Sequence, residues 1–170
     1  MPATPAYRHL SFTGSVPVGI AVQAAARNVV PVTLELGGKS PQLVFADADL
    51  ERALPFLVNA GIQNAGQTCS AASRILVEKP RFDEVAERMS DRYSRLRVGP
   101  ARKDLDLGSL ISARQKAVVE SFIAQADPAS IIARGRIERQ APGGHYVAPA
   151  LIAGLSADHP LAQDEIFGPV

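Results

Sequence analysis

Strand-like and helix-like stretches alternate along this 170-residue chain, which predicts an α/β fold with a largely parallel sheet. Three observations carry that prediction. The run from His9 to Leu36 reads strand, helix, strand, with a Gly-Ser turn between the first two. Phe82, Val85, Met89, Tyr93 and Leu96 recur on one helical face, the spacing of an amphipathic helix packed on a core. Apolar residues make up 46 % and charged residues 21 % of the chain, a balance close to that of soluble globular domains.

Taken in order, His9 to Phe12 is predicted as a short strand ending in Thr13-Gly14-Ser15. Val16 to Arg27 follows as a helix, with Ser15 as N-cap, Pro17 in the first turn and an Ala-rich body. Val29 to Leu36 is β-branched and reads as a strand, and Gly37-Gly38 punctuates it. Gln42 to Phe45 is a further strand. A helix capped by Asp47 or Asp49 runs toward Asn64, with Pro55 expected to kink or break it. Arg74 to Val77 is a strand, Arg81 to Arg97 a helix, and Gly99 to Gly108 a loop. Ser112 to Ala126 is a helix with Val118, Val119, Phe122 and Ile123 inward, and Ser130 to Ala133 and Tyr146 to Ile152 are strands. The paired glycines suggest an interdomain crossing, dividing the chain into residues 1–37 and 38–170.

Eighteen Lys and Arg against seventeen Asp and Glu give a net charge of +1. No basic stripe marks a nucleic-acid or anionic-membrane partner. The basic residues between Arg74 and Lys103 interleave with acids, the pattern of a solvated helix face. One cysteine cannot form an internal disulfide, which points to a reducing compartment. With no signal-peptide order at the N-terminus and no run of about 20 apolar residues, a soluble cytoplasmic protein is expected. The three histidines, His9, His145 and His159, have no ligand spacing and read as surface or loop residues, so no metal site is expected.

Cys69 lies in Asn64-Ala65-Gly66-Gln67-Thr68-Cys69-Ser70-Ala71. A thiolate is a polarisable nucleophile for carbonyl carbon, and small neighbours leave it open to attack. Position alone favours the other reading, a buried small hydrophobe. Glu35, between Leu34 and Leu36, would gain a raised pKa if buried, which suits a general base acting on water near neutral pH. It reads equally well as a strand-end carboxylate facing solvent or pairing with Lys39. Gly14-Ser15 opens a helix and suits phosphate oxygens, although two glycines four residues apart are a weak signal and not the G-x-G-x-x-G fingerprint.

Four segments together are more specific than any one of them. Ser11-Phe-Thr-Gly-Ser15, Leu34-Glu-Leu-Gly-Gly-Lys39-Ser-Pro41, Asn64-Ala-Gly-Gln-Thr-Cys69 and Glu165-Ile-Phe-Gly-Pro169 resemble, in order and spacing, signature segments of the NAD(P)-dependent aldehyde dehydrogenase superfamily. Asp47-Ala-Asp-Leu50 and Leu110-Ile-Ser112 are also similar to that family. The resemblance covers residues 9 to 170, while Met1 to Tyr7 departs from the pattern.

The resemblance implies an aldehyde dehydrogenase-like fold: the end of a Rossmann-type cofactor domain in 1–37, then most of an α/β catalytic domain in 38–170. It implies NAD or NADP as cofactor and an aldehyde as substrate. Cys69 is then the nucleophile that forms a thiohemiacetal, hydride leaves to the nicotinamide, and Glu35 activates the water that hydrolyses the thioester. A Glu at that position favours the hydrolytic branch over the coenzyme A-acylating one. Gly14 and Ser15 would lie near the pyrophosphate, Leu36 and Gly37 near the nicotinamide, Glu165 on its ribose and Phe167 beside its ring. A full-length member would add, before residue 1, the strands that read the adenosine and the asparagine of the oxyanion hole. After Val170 it would add the rest of the catalytic domain and an oligomerisation strand, so a homo-oligomer is expected of the full-length enzyme. The chain by itself is expected to be an inactive fragment, or alternatively a non-catalytic remnant that persists as a folded or partner-binding piece.

Overall fold

The computed structural model describes residues 7–26 and 30–170, in two compact units, Met1–Gly38 and Lys39–Val170.

The first unit is a β–α–β element. Strand β1 (Leu10–Gly14) pairs in parallel with β2 (Val32–Leu36), and helix α1 (Val16–Ala25) connects them. Arg27, expected inside the helix, and Val29, expected to open the strand, lie outside the described residues. Ser15 occupies the N-cap position and Pro17 the first turn, as their chemistry suggests, yet the Ser15 side chain makes no cap hydrogen bond.

The second unit begins with β3 (Pro41–Val44), parallel to β4 (Arg74–Val77). Between them runs α2 (Leu50–Ile62), capped by Asp49, whose carboxylate accepts from the N–H groups of Glu51 and Arg52. The helix continues through Pro55 rather than breaking there. Leu50, Leu54, Leu57, Val58 and Ile62 are buried along one face, and that burial outweighs the loss of a single helical N–H. Helix α3 (Phe82–Arg95) buries Val85, Met89 and Tyr93, as its periodicity predicts. It ends before Arg97, because Arg97–Val98 forms β5, parallel to β7 (Arg136–Ile137).

Helix α4 (Ala113–Ile123) is capped by Ser112 and buries Val119 and Ile123. Phe122 is partly buried, whereas Val118 is exposed, against the inward orientation expected of it. Strand β6 (Ile131–Arg134) pairs antiparallel with β8 (Ala150–Ile152). The strand expected from Tyr146 is confined to its last three residues, because Pro149 has no N–H for a ladder. Tyr146 and Val147 are nevertheless core residues. A short helix, α5 (Pro160–Gln163), capped by His159, precedes the C-terminal segment.

Three of the four strand pairs are parallel, so the fold is α/β with largely parallel pairing. Helix α3 packs on β6 and β8 and against α2, which places the core of the second unit under α2, α3 and α4. Among the described residues no helix is long and apolar enough to cross a membrane.

Candidate active site

In the first unit the parallel register sets Thr13 opposite Glu35 and Gly14 opposite Leu36. Gly14, Ser15, Glu35 and Leu36 therefore share the carboxyl edge of the strand pair, where α/β sheets bind ligands. A Cβ on Gly14 would stand 2.5 Å from the end of the Phe12 ring, so a larger residue there needs that ring to move. Leu36 packs on α1 at Gly19, where a Cβ would meet its side chain at 2.5 Å. Gly37 follows, half-buried. The first turn of α1 carries no acidic residue, and the Ser15 hydroxyl is not used as a cap. This helix start has the free N–H groups and positive dipole end that suit an anion.

Strand alternation resolves the placement of Glu35. Val32, Leu34 and Leu36 occupy the covered face of β2, while Thr33 and Glu35 are exposed on the other. Leu34 and Leu36 therefore do not enclose Glu35, because neighbours in sequence point to opposite faces of a strand.

In the second unit Cys69 is exposed, contrary to the reading of a lone cysteine as a buried hydrophobe. It sits in a turn that the Ala71 N–H closes onto the Thr68 carbonyl at 3.1 Å. A one-turn 3₁₀ segment, Gln63–Gly66, precedes it, and Asn64, Ala65 and Gly66 are consecutively left-handed, with φ of 51°, 55° and 75°. Gly66 meets a further constraint: a Cβ there would stand 2.1 Å from the Gly168 carbonyl oxygen. Asn64 Nδ2 donates to the Gln67 carbonyl at 3.1 Å, and Gln67 Nε2 donates to the Asn64 carbonyl at 3.0 Å. Gln67 Oε1 accepts the Ile111 N–H at 3.0 Å, tying the thiol turn to the segment before α4.

Glu165 and Phe167 are exposed on either side of Ile166, which is anchored in the core at 3 % exposure. Phe167 is left-handed with φ 54°, and Gly168 and Pro169 behind it are buried. The Cys69 turn and the Phe167 segment thus touch at Gly66 and Gly168, bringing two of the predicted residues onto one scaffold.

Lys39 is the buried charge of this unit, 8 % exposed, with its amine pushed down to about 8 by burial first and by the Arg74 guanidinium second. Asp164 and Glu165 oppose that shift. Arg74 Nε also donates to the Lys39 carbonyl at 2.8 Å. Sequence reasoning read Gly66 only as an open neighbour of Cys69 and assigned no role to Gln67, Gln115 or Gly168. Their partners lie 44 or more residues away, and only the Ser112-x-x-Gln115 spacing hinted at a special role.

Comparison with known proteins gives the family and the fold. The profile of the aldehyde dehydrogenase family matches residues 1–170. Betaine aldehyde dehydrogenase of Rhizobium johnstonii is 40 % identical over 166 residues, spanning 95 % of this chain and 34 % of that protein. The crystal structure of betaine aldehyde dehydrogenase from Staphylococcus aureus with NAD+ superposes at a TM-score of 0.90 and 33 % identity, over 99 % of this chain and 35 % of that one. Aldehyde dehydrogenase C of Pseudomonas syringae, crystallised with NAD+ and octanal as a cysteine-to-alanine variant, gives 0.89 and 33 % over 99 % and 36 %. The chain spans about a third of the length of the curated relatives it matches. On these grounds the chain belongs to the aldehyde dehydrogenase family.

Proposed function

We propose that this chain carries the thiol and part of the dinucleotide site of an enzyme that oxidises an aldehyde to a carboxylic acid with NAD or NADP. The observation that carries the reading is the exposed Cys69 on a turn fixed by Gln67 and Gly66, touching the segment that presents Phe167. An accessible thiol on a preorganised turn is the arrangement covalent catalysis at a carbonyl needs.

In this reading Cys69 Sγ attacks the aldehyde carbon to give a thiohemiacetal, which becomes a thioester on losing hydride from carbon and the proton from its hydroxyl. When bound, the dinucleotide supplies the hydride acceptor. Glu35 takes a proton from the water that attacks the thioester, and the acid leaves as Cys69 regains its thiol. The residues present fit the cofactor in their chemistry. The helix start at Gly14 and Ser15 suits a pyrophosphate, and Leu36 and Gly37 would line the nicotinamide. Glu165 offers carboxylate oxygens to ribose hydroxyls, and Phe167 offers an aromatic face to the ring. Exposure of Glu35 at a strand end suits a base that must reach water. We assign residues 1–37 to the cofactor domain and 38–170 to the catalytic domain of a cytoplasmic homo-oligomer.

The alternative is a non-catalytic remnant with a structural or partner-binding role. Retention of Cys69, Glu35, Glu165 and Phe167 together favours the enzyme. Cys69→Ala in the family-length protein tests it: aldehyde oxidation should fall by several orders of magnitude, roughly the cost of losing a covalent nucleophile. Oxidation at a comparable rate would remove Cys69 from the mechanism.

A further inference from the structure

Ser112-Ala113-Arg114-Gln115 has the spacing of a capping box, in which the N-cap hydroxyl bonds the third residue's N–H and that residue's side chain bonds back. Only the first half forms: Ser112 Oγ accepts the Gln115 N–H at 3.1 Å. The Gln115 side chain goes elsewhere. Its Nε2 donates to the Ile166 carbonyl at 3.0 Å and to the Phe167 carbonyl at 2.9 Å. Both amide hydrogens are thereby used on consecutive peptides, and the orientation of the amide is fixed because the opposite one would set oxygen against oxygen.

Those peptides are in an unusual state. Phe167 is left-handed at φ 54°, a conformation that an aromatic residue keeps only where its surroundings enforce it. Gly168 lies on α4 so closely that a Cβ would stand 2.3 Å from Val119 Cγ2, and its own carbonyl stands 2.1 Å from where a Cβ of Gly66 would be. Gly66 ends the left-handed run that leads to Cys69. Gln67 closes the ring by accepting the Ile111 N–H, four residues before Gln115.

We propose that Gln115 is a positioning residue which, with Gln67, locks the Cys69 turn and the Phe167 segment into one shared geometry. The inference rests on the roles of Cys69 and Phe167 given above. Thiol and aromatic ring then cannot relax independently, so the reacting carbon and the ring beside it keep one separation through the acylation step.

The test uses the family-length protein with Gln115→Met, equal in length but without donors, and Gln115→Glu. Hydrogen exchange resolved by peptide would be read over residues 62–70, 164–170 and 82–95, beside the rate of Cys69 alkylation by iodoacetamide. In Gln115→Met, exchange should quicken by about tenfold in both loop segments, the effect of roughly one lost net hydrogen bond. Alkylation should shift with it, while α3 stays protected. In Gln115→Glu the same loosening should appear at neutral pH and diminish as the carboxyl is protonated and regains a donor, a pH signature that packing alone would not give. Loosening confined to 164–170, with Cys69 alkylation unchanged, overturns the coupling. If Gln115→Met unfolds the chain, Gln67→Met reports from the other end: quicker exchange at 164–170 supports the lock, and unchanged exchange refutes it. Absence of an acyl adduct on Cys69 would defeat the catalytic reading but leave these exchange results standing.

Discussion

Gly66→Ala tests how tightly the thiol turn is built. Two costs combine at this position. Gly66 is left-handed, at φ 75°, and an L residue there costs about 1–2 kcal/mol. An added Cβ would also fall 2.1 Å from the Gly168 carbonyl oxygen and 2.9 Å from the Pro169 nitrogen. Both are backbone atoms that cannot rotate away, so overpacking adds about 1–3 kcal/mol. Against this, alanine narrows the unfolded ensemble by about 0.4–1 kcal/mol. The net loss centres near about 3 kcal/mol, a large share of the roughly 5–15 kcal/mol that holds a domain together.

Three other glycines separate the contributions. Gly108 has open space around it and is absent from the left-handed positions, so Gly108→Ala should be neutral or slightly stabilising. Gly143, at φ 76° with nothing nearby, isolates the conformational cost, and Gly168, which faces buried Val119, isolates the packing cost. Urea unfolding of the four variants, compared at constant m, gives the ranking. The reasoning is refuted if Gly66→Ala lies within about 1 kcal/mol of the parent, or costs no more than Gly143→Ala.

The Lys39 amine is held down to about 8 from 10.5, so folding disfavours its charged form. The folded state binds fewer protons, and stability should rise with pH between about 8 and 10.5, at up to about 1.4 kcal/mol per pH unit. Denaturant titrations of Lys39→Met should lack that rise, and identical slopes in the two proteins would dismiss it. Tyr93, pushed up to about 12 by burial, adds the opposite trend, with stability lost as pH climbs from 10 toward 12. A Tyr93→Phe variant should lose less stability over that range, which spectrophotometric titration beside unfolding would show. Thr68 Oγ1 is buried and lacks a hydrogen-bond partner among the described residues, so Thr68→Val should be neutral or stabilising within about 1 kcal/mol, and a clear loss on thermal unfolding would reveal a missed partner. The 170-residue chain should self-associate and bind dinucleotide weakly, since Leu43, Phe45, Phe56 and Leu76 are each more than half exposed. Light scattering and calorimetry would show a monodisperse, micromolar-binding monomer if this is wrong.

The helices were legible where burial repeats within one element. The repeat of Val85, Met89 and Tyr93 in α3 and the Asp49 cap of α2 act over two to four residues, and the sequence displays that range directly, although Phe82, expected on the same face, is exposed. Strands β5 and β7 were not legible, because each has two residues and their pairing joins positions 39 apart, at Arg97↔Arg136. Val118, Tyr146 and Val147 misled for a related reason: apolar character announces burial but not the partner surface or the backbone state. Tyr146 and Val147 are buried in the core although they lie outside a strand, whereas Leu43 of β3, Phe56 of α2 and Leu76 of β4 are exposed within those elements.

The site divides the same way. Cys69, Phe167 and the Gly14-Ser15 helix start are picked out by the family segments that carry them, since position alone favours a buried Cys69 and the glycine spacing is a weak signal. The exposure of Glu35 follows from strand alternation, which two flanking leucines obscure. Gln67 has no local signature of its role, and the capping-box spacing of Gln115 points to the wrong partner, since what both bind is backbone brought to them by the fold.

The central claim is that Cys69 carries the acyl group and Glu35 admits the water that releases it. Intact-protein mass analysis of the family-length Glu35→Gln variant, mixed rapidly with an aldehyde and NAD or NADP, tests both at once. The account predicts a single burst of reduced cofactor, followed by a stalled protein whose added mass is one acyl group located on Cys69. Steady turnover in Glu35→Gln would remove Glu35 from deacylation, and a burst with the acyl group on any residue other than Cys69 would contradict the account.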